Sequence, residues 1–511
     1  MYERTAEDMG HMAGKDVYRK LGEKIDNLTV KSPWNEALHR LLKELYTEQE
    51  ADLVVQMPYL LSTVNRIARI TGADPSTLQG RLDGLAEKGL VLDLYHDGRY
   101  YYMPSPIMVG IFEFTMMRSR GNFDPGVAAG LFHAYLTGGG DFYRANAGGG
   151  RQIALARVVP HMDAVTPEDV VEILPYEKVE AIVDSHDRYA IGTCACRHEK
   201  LHSGHKKCAV PLDTCTSFGY AADYLIRHHL AAEVSRGRVM DNLARCKELG
   251  LVFSADNVQR NITFICCCCA CCCNLLQGIN KFGYTGFIKT SGFIAVADAE
   301  KCTGCGKCIA VCPVNCIHLA PVQGGEPTGC SAVGPVSEQG DGVTVLPASG
   351  PVLVQDKEAA VGCLAGPVHE SNSQPTSLPV FEPMSELASD GAKKGKRLAL
   401  VDESICLGCG VCADQCVRGA LRLKKRRQRV LPPENTFERN ILACLERGTL
   451  PNYIFDDPGA VTHRVMRGIL GGILKLSPVK RALVGDLFRS TFLNILTAGV
   501  KLSGKGWITK L

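Results

Sequence analysis

The sequence lacks the features that mark membrane-spanning, exported and nucleotide-binding proteins. No uncharged apolar stretch reaches the roughly 18 residues that a membrane-spanning helix needs. The first 20 residues are charged throughout and contain no apolar run of a signal peptide. No Rossmann glycine fingerprint or P-loop occurs. We therefore expect a cytoplasmic protein without a spanning helix or a nucleotide cofactor.

The sequence also lacks a strong charge of either sign. The net charge is +3 over 511 residues, so the whole molecule gives no signal for nucleic acid or membrane, and only local patches could. Apolar residues make up 46% and charged residues 22%, as in ordinary globular proteins. A chain of this length forms several domains rather than one core.

Cysteine is abundant, with 24 residues, yet its density stays below that of secreted disulfide scaffolds. Without an export signal, these thiols belong in a reducing compartment. There, clustered cysteines usually bind metal or perform redox chemistry.

The strongest pattern is a run of four cysteines that occurs twice with the spacing C-x2-C-x2-C-x3-C. Residues 298–319 read DAEKCTGCGKCIAVCPVNCIHL, and residues 402–423 read DESICLGCGVCADQCVRGALRL. A cubane iron–sulfur cluster needs one thiolate at each iron, and small residues between the thiolates let backbone amides approach the sulfurs. Structural zinc, the alternative, usually takes two separated cysteine pairs. The spacing therefore favours clusters.

These runs resemble those of the bacterial two-cluster ferredoxins, in which the fourth cysteine of each run binds the partner cluster. The resemblance implies two [4Fe–4S] clusters. One would be held by Cys302, Cys305, Cys308 and Cys416, and the other by Cys406, Cys409, Cys412 and Cys312.

The chain departs from that family in three places. Val417 follows the fourth cysteine of the second run, where the first has Pro313. Cys316 stands where the second run has Ala420, and is either a small buried residue or a spare ligand. We expect 321–397, rich in proline and glycine, to be a flexible insertion with a hairpin at 342–355.

A second cysteine system lies upstream. Its eleven thiols are Cys194, Cys196, Cys208, Cys215, Cys266, Cys267, Cys268, Cys269, Cys271, Cys272 and Cys273. Arg197 beside two of them would favour their thiolate forms. Neighbouring His198, His202 and His205 are either ligands or surface groups. Cys246, on a predicted helix, is interpreted as an ordinary buried residue.

Eleven thiols suffice for two further clusters, or for one cluster and a redox-active thiol group. Side chains alternate across a strand, so the run 266–273 can serve two sites, or one site and the core. Some of the seven could equally be small buried residues. We take all eleven except Cys267 as candidate ligands of one or two additional iron–sulfur clusters. The combination with the ferredoxin-type runs is similar to a group of iron–sulfur proteins from anaerobic bacteria, and implies electron transfer.

The N-terminal region predicts a helix over 35–47 and two helices joined by a short turn over 62–72 and 73–90, followed by a hairpin around Asp97 and Gly98. This order resembles a winged-helix domain. Its candidate recognition helix, 74–88, carries Arg81 and Lys88 against three acids, which is not the basic face that DNA affinity requires. Protein docking is therefore the preferred interpretation, with DNA binding as the alternative.

Basic patches lie in the C-terminal part. The runs at 393–397 and 424–429 are either solvated faces or docking surfaces for an acidic redox partner such as a ferredoxin, a flavodoxin or a reductase. From Arg464 to Leu511 there are nine Lys or Arg residues and one acid, Asp486. Apolar residues recur there at helical spacing. A basic amphipathic helix pair can lie on an anionic membrane surface, dock on a partner, or pack on its own protein.

Together these patterns predict a multidomain α+β protein. The expected segments are an N-terminal extension (1–34), a winged-helix domain (35–118), a cysteine-rich α/β domain (119–290), a two-cluster ferredoxin-like domain (291–430) and a helical basic region (431–511). The hypothesis is a multi-cluster electron-transfer protein, a subunit of or donor for an oxidoreductase. The alternatives are a redox- or iron-responsive winged-helix regulator and an oxidoreductase with its own substrate site.

Overall fold

The computed structural model describes residues 16–119, 123–148, 153–323, 326–327, 397–429, 431–484, 486–502 and 504–511. Contacts divide the chain into one compact unit of Met1–Ala320 with Arg397–Leu511, and a second of Pro321–Lys396. All the sites discussed below lie in the first unit. The predicted hairpin at 342–355, with Cys330 and Cys363 of the insertion, lies outside the described residues.

The N-terminal region forms five helices and a small antiparallel sheet. The helices span Val17–Asp26, Glu36–Leu45, Glu48–Gln56, Val64–Thr71 and Pro75–Glu87. The sheet orders its strands as Ser62–Thr63, Arg99–Pro104 and Val91–His96. The predicted helices and hairpin are confirmed, and Asp97 and Gly98 turn the chain with φ of 48° and 73°. The winged-helix assignment stays a prediction.

This N-terminal hairpin (Val91–Pro104) is packed by other parts of the chain. The Tyr224 hydroxyl donates to the carbonyl of Val91, and Arg227 forms an ion pair of 2.8 Å with Asp93. Trp507 stacks on His96, with ring centroids 4.4 Å apart. The hairpin is thus held between the middle and the C-terminal parts of the chain.

A seven-stranded sheet forms the centre of the first unit. In spatial order its strands are Ile288–Lys289, Ala156–Val159, Val252–Asp256, Phe264–Cys268, Asp213–Phe218, Tyr189–Thr193 and Ala231–Glu233. The first pair is parallel, and the other pairs are antiparallel. The strand Tyr189–Thr193 ends just before Cys194, and the strand Phe264–Cys268 runs into the cysteine run; one strand, Asp213–Phe218, lies between them.

Short helices surround this sheet. The α-helices are Phe112–Met117, Pro125–Thr137, Asp141–Ala147, Val179–Asp184, Ala195–His202, Gly219–Arg227, Arg236–Glu248 and Asn274–Phe282. A π-helical turn spans Ile107–Ile111, and 3-10 turns span Met162–Ala164, Pro167–Glu172, Pro175–Glu177 and Thr285–Phe287. The main core under the sheet gathers apolar residues of its strands with those of Val179–Asp184 and Arg236–Glu248.

The ferredoxin-type segment is built on two antiparallel strands, Phe293–Ala297 and Leu421–Lys425. The other strands are Ile317–Gln323, Glu326–Pro327 and Arg397–Val401, and the helices are Lys307–Val311 and Val411–Asp414. Each helix begins within a cysteine run and ends one or two residues before its fourth cysteine.

The C-terminal region consists of helices Thr436–Arg447, Leu450–Ile454, Val461–Lys475, Ser477–Val484 and Asp486–Leu502, with a 3-10 turn at Gly506–Lys510. The expected basic helix pair is therefore part of a larger bundle. Predicted apolar positions such as Val479, Leu483, Phe492 and Leu496 pack on the protein's own core, because Ile441, Leu445 and Leu450 face them. Among the described residues, no helix combines the length and apolar character needed to cross a bilayer.

Candidate metal centres

The two cysteine runs are held by matching hydrogen bonds. The amide of Asp298, which opens the first run, donates to the carbonyl of Ala420 over 2.7 Å. The amide of Asp402, which opens the second run, donates to the carbonyl of Cys316 over the same distance. The first residue of each run is thus hydrogen-bonded to a residue near the end of the other run. The sequence repeat is therefore also a structural repeat.

Glycines allow these loops to fold tightly. Gly304 and Gly408 adopt left-handed conformations, with φ of 67° and 68°. A Cβ atom on Gly408 would lie 2.1 Å from the carbonyl oxygen of Phe293, and one on Gly304 would lie 2.6 Å from that of Arg397. No side chain fits at either position, because a neighbouring backbone carbonyl lies too close. The left-handed φ angle is a second reason why glycine is needed there.

One cavity brings together thiols from both runs. It is lined by Cys312, Cys406, Cys409 and Cys412, with apolar residues such as Leu407 and Leu423 completing the wall. The fourth thiol of the first run therefore faces the first three thiols of the second run. Cys316 also lines this cavity.

Cys316 is closely tied to two of these thiols. Its sulfur lies 3.4 Å from that of Cys312, and its amide donates to the same sulfur. Hydrogen bonds from the Cys316 thiol lower the pKa of Cys312 and the pKa of Cys406 to about 6. Both neighbours are thereby favoured as thiolates, the form that binds metal.

The other predicted ligand set lies closer to solvent. Cys302 and Cys308 are buried, Cys416 is half-buried and Cys305 is exposed. The Cys416 sulfur accepts the amide of Ala420 over 3.3 Å, which repeats the contact between Cys312 and Cys316. Amide donation to a cysteine sulfur is typical of iron–sulfur sites, where it tunes the potential.

In the middle region, strand geometry divides the cysteine run 266–273. Cys267 points into the main core beside Ile265, where it contacts Cys246. Both are buried residues of the core, as expected for Cys246. Cys266 and Cys268 point to the opposite face, because side chains alternate along a strand. The run therefore supplies both the core and a thiol site.

On that opposite face lies a set of six thiols, here named the six-thiol group: Cys194, Cys196, Cys215, Cys266, Cys268 and Cys273. Contacts join Cys196 to Cys273, Cys273 to Cys268, and Cys215 to Cys266. Burial raises the pKa of Cys194, yet its side chain keeps some accessible surface. Both properties fit a thiol that faces an enclosed space.

The remaining candidate thiols, named the four-thiol turn, are Cys208, Cys269, Cys271 and Cys272. Their sulfur atoms all lie within 4.8 Å of one another. Three of them come from the turn that joins the strand Phe264–Cys268 to the helix Asn274–Phe282, and Cys208 comes from the segment before Asp213. The candidate ligands thus separate into two sets.

Arg197 lies between the two sets. Its side chain is 1% exposed and donates to Thr214 Oγ1 and to the carbonyl of Cys267. Its charge lowers the pKa of Cys269, after the larger effect of a hydrogen bond from Cys272. The expectation that Arg197 favours thiolates is supported for Cys269, whereas burial outweighs its effect on the pKa of Cys194.

The predicted histidine candidates have other contacts. His198 Nδ1 lies 2.6 Å from the carbonyl oxygen of Met116, and His202 Nε2 lies 2.9 Å from His198 Nε2. His205 stacks on His133, with ring centroids 3.9 Å apart. Within the described part of the chain, the clustered potential metal ligands are cysteines alone.

Two acidic groups near the thiols carried no sequence motif. Burial raises the pKa of Glu113 to about 7, and this carboxyl lies near Cys196 and Cys215. Glu199 is fully buried and pairs with Lys200 over 2.5 Å and with His133 over 3.0 Å. Lys200 also donates to Asn274, which directly follows Cys273. Only the fold brings these residues beside the six-thiol group.

The candidate recognition helix uses its cations within the protein. Lys88 pairs with Glu50 over 2.5 Å, and Arg81 donates to the carbonyl of Gln49 over 3.3 Å. Neither contact leaves the cation fully available for a phosphate, which agrees with the preference for protein docking.

Comparison with known proteins bears on the first cysteine run. Residues 295–318 match the family of 4Fe-4S binding domains. No curated protein and no solved structure matches the chain. The matched residues contain Cys302, Cys305, Cys308 and Cys312, so the chain is an iron–sulfur protein with at least one [4Fe–4S] cluster.

Proposed function

We propose that this protein transfers electrons through several iron–sulfur clusters, two of them in the ferredoxin-type segment. The observation that carries the proposal is the cavity where Cys312 of the first run faces Cys406, Cys409 and Cys412 of the second. An exchange of the fourth ligand between runs is what the two-cluster arrangement requires. The two runs are held by matching hydrogen bonds. This match supports the same exchange of the fourth ligand for the other set, which is Cys302, Cys305, Cys308 and Cys416.

The residues fit the clusters that they would hold. Each set offers four thiolates, and the loops bring backbone amides to the sulfurs at Cys312 and Cys416. A bound [4Fe–4S] cluster accepts and releases one electron at a time. Around it, Leu407 and Leu423 limit water, and the Cys316 amide donates to the Cys312 sulfur. These residues would determine the water access and hydrogen bonding around the cluster, which tune its reduction potential.

The six-thiol group would hold a further cluster. It contains more thiols than a cubane needs, and the buried Arg197 provides a positive charge at its edge. The middle region also touches the ferredoxin-type segment, since the amide of His161 donates to the carbonyl of Cys409 over 2.9 Å. His161 packs against Phe253 on the central sheet. The two regions are therefore in direct contact at His161.

Electrons would enter or leave near the second run. Arg418, Lys424 and Arg427 are exposed there, and the exposed Cys305 would place one cluster close to the surface. An acidic redox protein, such as a ferredoxin, a flavodoxin or a reductase, would be attracted to these cations.

A separate surface suits a membrane. On the helix Val461–Lys475, apolar side chains recur every four residues at Val461, Val465, Ile469 and Ile473, with exposures of 69, 55, 54 and 48%. Exposed cations such as Arg464 and Lys475 flank this stripe. Apolar and basic groups on one helix favour contact with an anionic bilayer surface.

A second candidate function, an oxidoreductase with its own substrate site, is favoured by the buried acid–base groups. Glu113 and the Glu199–Lys200–His133 network lie beside the six-thiol group, where they could hold or deliver protons. Proton transfer needs such groups next to a redox centre, whereas simple electron transfer does not.

Counting metal tests the first proposal. After anaerobic purification we expect about twelve irons and twelve acid-labile sulfides per chain, four for each of three clusters. Cys409→Ser should remove about four of each. Replacing Cys215, Cys266 and Cys273 together by serine, which leaves three thiols in the six-thiol group, should remove another four. About eight irons in the unaltered protein would exclude the middle cluster. Iron-free, folded protein would overturn the proposal. Turnover by the isolated protein with an artificial reductant would favour the oxidoreductase.

A further inference from the structure

We propose that the four-thiol turn (Cys208, Cys269, Cys271 and Cys272) binds one divalent metal ion as a mononuclear tetrahedral tetrathiolate, distinct from the iron–sulfur clusters. Zinc is the ion whose chemistry fits the site best. The proposal concerns thiols that electron transfer through the other cysteines does not require, so it can hold or fail independently of the proposed function.

The distances between sulfur atoms carry the argument. Cys208 lies 3.8 Å from Cys269 and 3.9 Å from Cys272. Cys271 lies 3.8 Å from Cys269 and 3.5 Å from Cys272. A tetrahedral zinc ion with Zn–S bonds of about 2.3 Å separates its sulfurs by about 3.8 Å. The four thiols therefore already lie at the spacing that a single ion imposes.

The same spacing argues against a cubane at this position. A cubane places a separate iron behind each cysteine, so its four ligand sulfurs must lie farther apart than those around one ion. The four sulfurs of the turn lie within 4.8 Å of one another, which leaves room for one ion at their centre.

Local structure explains why three of the ligands converge. The strand ends at Cys268, and the amides of Cys272 and Cys273 both donate to the carbonyl of Cys269. Gln277 donates to the carbonyl of Ala270 over 2.7 Å. Cys269 lies on the core side of the sheet, as Cys267 does, and the tight turn brings the sulfurs of Cys271 and Cys272 to it.

Charge also favours a metal here. Four thiolates around a divalent ion carry a net charge of −2, which a protein interior tolerates only near cations. Arg197 is buried, its Nε makes no hydrogen bond to oxygen or nitrogen, and Cys269 lies beside it. Lys206 donates to the carbonyl of Cys208 on the other side. The two cations flank the four thiols.

The bound ion would act as a structural staple. Cys208 lies in the segment between the helix Ala195–His202 and the strand Asp213–Phe218. The helix directly follows Cys194 and carries Cys196, and the strand carries Cys215. All three cysteines belong to the six-thiol group. Tying Cys208 to the turn at 269–272 would therefore position the ligands of the neighbouring site.

Zinc analysis and X-ray absorption test the proposal on the full chain. Protein purified anaerobically from cells grown with zinc should contain about one zinc per chain after dialysis. The zinc K-edge spectrum should show one shell of four sulfurs at about 2.3 Å. This measurement uses the unaltered protein, so it does not depend on a variant folding. Absence of a tightly bound mononuclear metal would overturn the proposal.

Cys271→Ser locates the ion. We expect loss of the zinc, or a mixed sulfur and oxygen shell, with iron and acid-labile sulfide unchanged. Cys444→Ala, a buried cysteine of the C-terminal core, is the matched control and should keep the zinc. Loss of about four irons and four sulfides in Cys271→Ser would assign these thiols to a cubane and overturn the proposal. Mononuclear iron on the same sulfurs would support the site and identify its ion.

Failure of this proposal is distinguishable from failure of the proposed function. Cys409→Ser should lower the iron content and leave the zinc in place, because Cys409 lies in the separate ferredoxin-type cavity. Zinc that is lost with Cys409→Ser as readily as with Cys271→Ser would contradict independent sites.

Discussion

The sulfur of Cys316 lies 3.4 Å from that of Cys312, whereas the equivalent neighbour of Cys416 is Ala420, which has no thiol. In both runs a backbone amide donates to the fourth cysteine, over 3.4 and 3.3 Å. The two runs therefore differ at this position, where the first run has a thiol side chain and the second has a methyl group. Within the residues that the structure describes, one of the two proposed clusters has a spare thiol beside a ligand and the other has none.

This asymmetry predicts different outcomes for two equivalent substitutions. In Cys312→Ser, the Cys316 thiol is close enough to replace the lost ligand, so we expect most of that cluster to remain with an altered EPR spectrum. In Cys416→Ser, the described residues offer no thiol at the equivalent position, which is Ala420, and about four irons should be lost. Iron analysis and EPR of the dithionite-reduced proteins measure both. Adding Cys316→Ala to Cys312→Ser should abolish the rescue, and equal cluster loss in both single variants would contradict it.

Two of the three arginines in the basic run 424–429 have different roles. Arg426 donates to the carbonyls of Phe293 and Cys406 over 2.8 and 2.5 Å, whereas Arg427 is exposed. Arg426→Ala should therefore loosen the loop of the second run and destabilise its cluster, seen as faster loss of visible absorbance in air. Arg427→Ala should keep the cluster.

The effect of Arg427→Ala should appear in the association rate with an acidic electron donor. We expect a decrease of a few-fold at low salt that disappears at high salt, because rim charges mainly steer association. Stopped-flow reduction by a small ferredoxin measures it. A salt-independent decrease would point to a direct contact instead.

The apolar stripe on Val461–Lys475 predicts vesicle binding. Ile469→Glu places a charge in the middle of the stripe and should reduce cosedimentation with anionic vesicles at least several-fold. Leu249→Glu, at an exposed leucine elsewhere on the surface, is the matched control and should bind as the unaltered protein does. Binding that survives Ile469→Glu, or that never occurs, would exclude this surface as a membrane contact.

Lys24 predicts a pH dependence of stability. Burial lowers its pKa from 10.5 to about 7, with Arg467 acting in the same direction. Between these values the unfolded chain holds a proton that the folded chain does not, so raising the pH favours the folded state. Relative to Lys24→Met, the unaltered protein should gain about 1.4 kcal/mol per pH unit across this window.

Anaerobic urea unfolding at pH 7, 8 and 9 measures this difference. Lys20→Met, at an exposed lysine of the same helix, is the control and should give a difference that does not change with pH. A flat difference for Lys24→Met as well would show that Lys24 keeps its proton in the fold.

Much of the local structure follows from the sequence. Helical spacing predicts Glu36–Leu45 and Arg236–Glu248, and the Asp97–Gly98 pair predicts the hairpin, because these signals depend on neighbouring residues. The spacing of the two cysteine runs likewise predicts iron–sulfur chemistry, which the match at 295–318 supports. The winged-helix assignment and the exchange of fourth ligands remain predictions.

The sequence could not divide the upstream thiols among sites. Alternation along the strand implies that Cys267 and its neighbours face opposite sides, but the run alone does not show which side is core. The structure shows that Cys267 faces the core, because it contacts Cys246 of the helix Arg236–Glu248, which packs under the sheet. Cys208 joins the turn at 269–272 although about 60 residues separate them.

The amino-acid sequence by itself determined which chemistry this protein can hold, because ligand type and short-range spacing are properties of consecutive residues. Only the tertiary structure decided which thiols share a site, where Arg197 and Glu113 lie, and which apolar faces stay exposed. Those outcomes depend on distances between segments that are remote in the chain. The packing of the central sheet against its helices determines these distances.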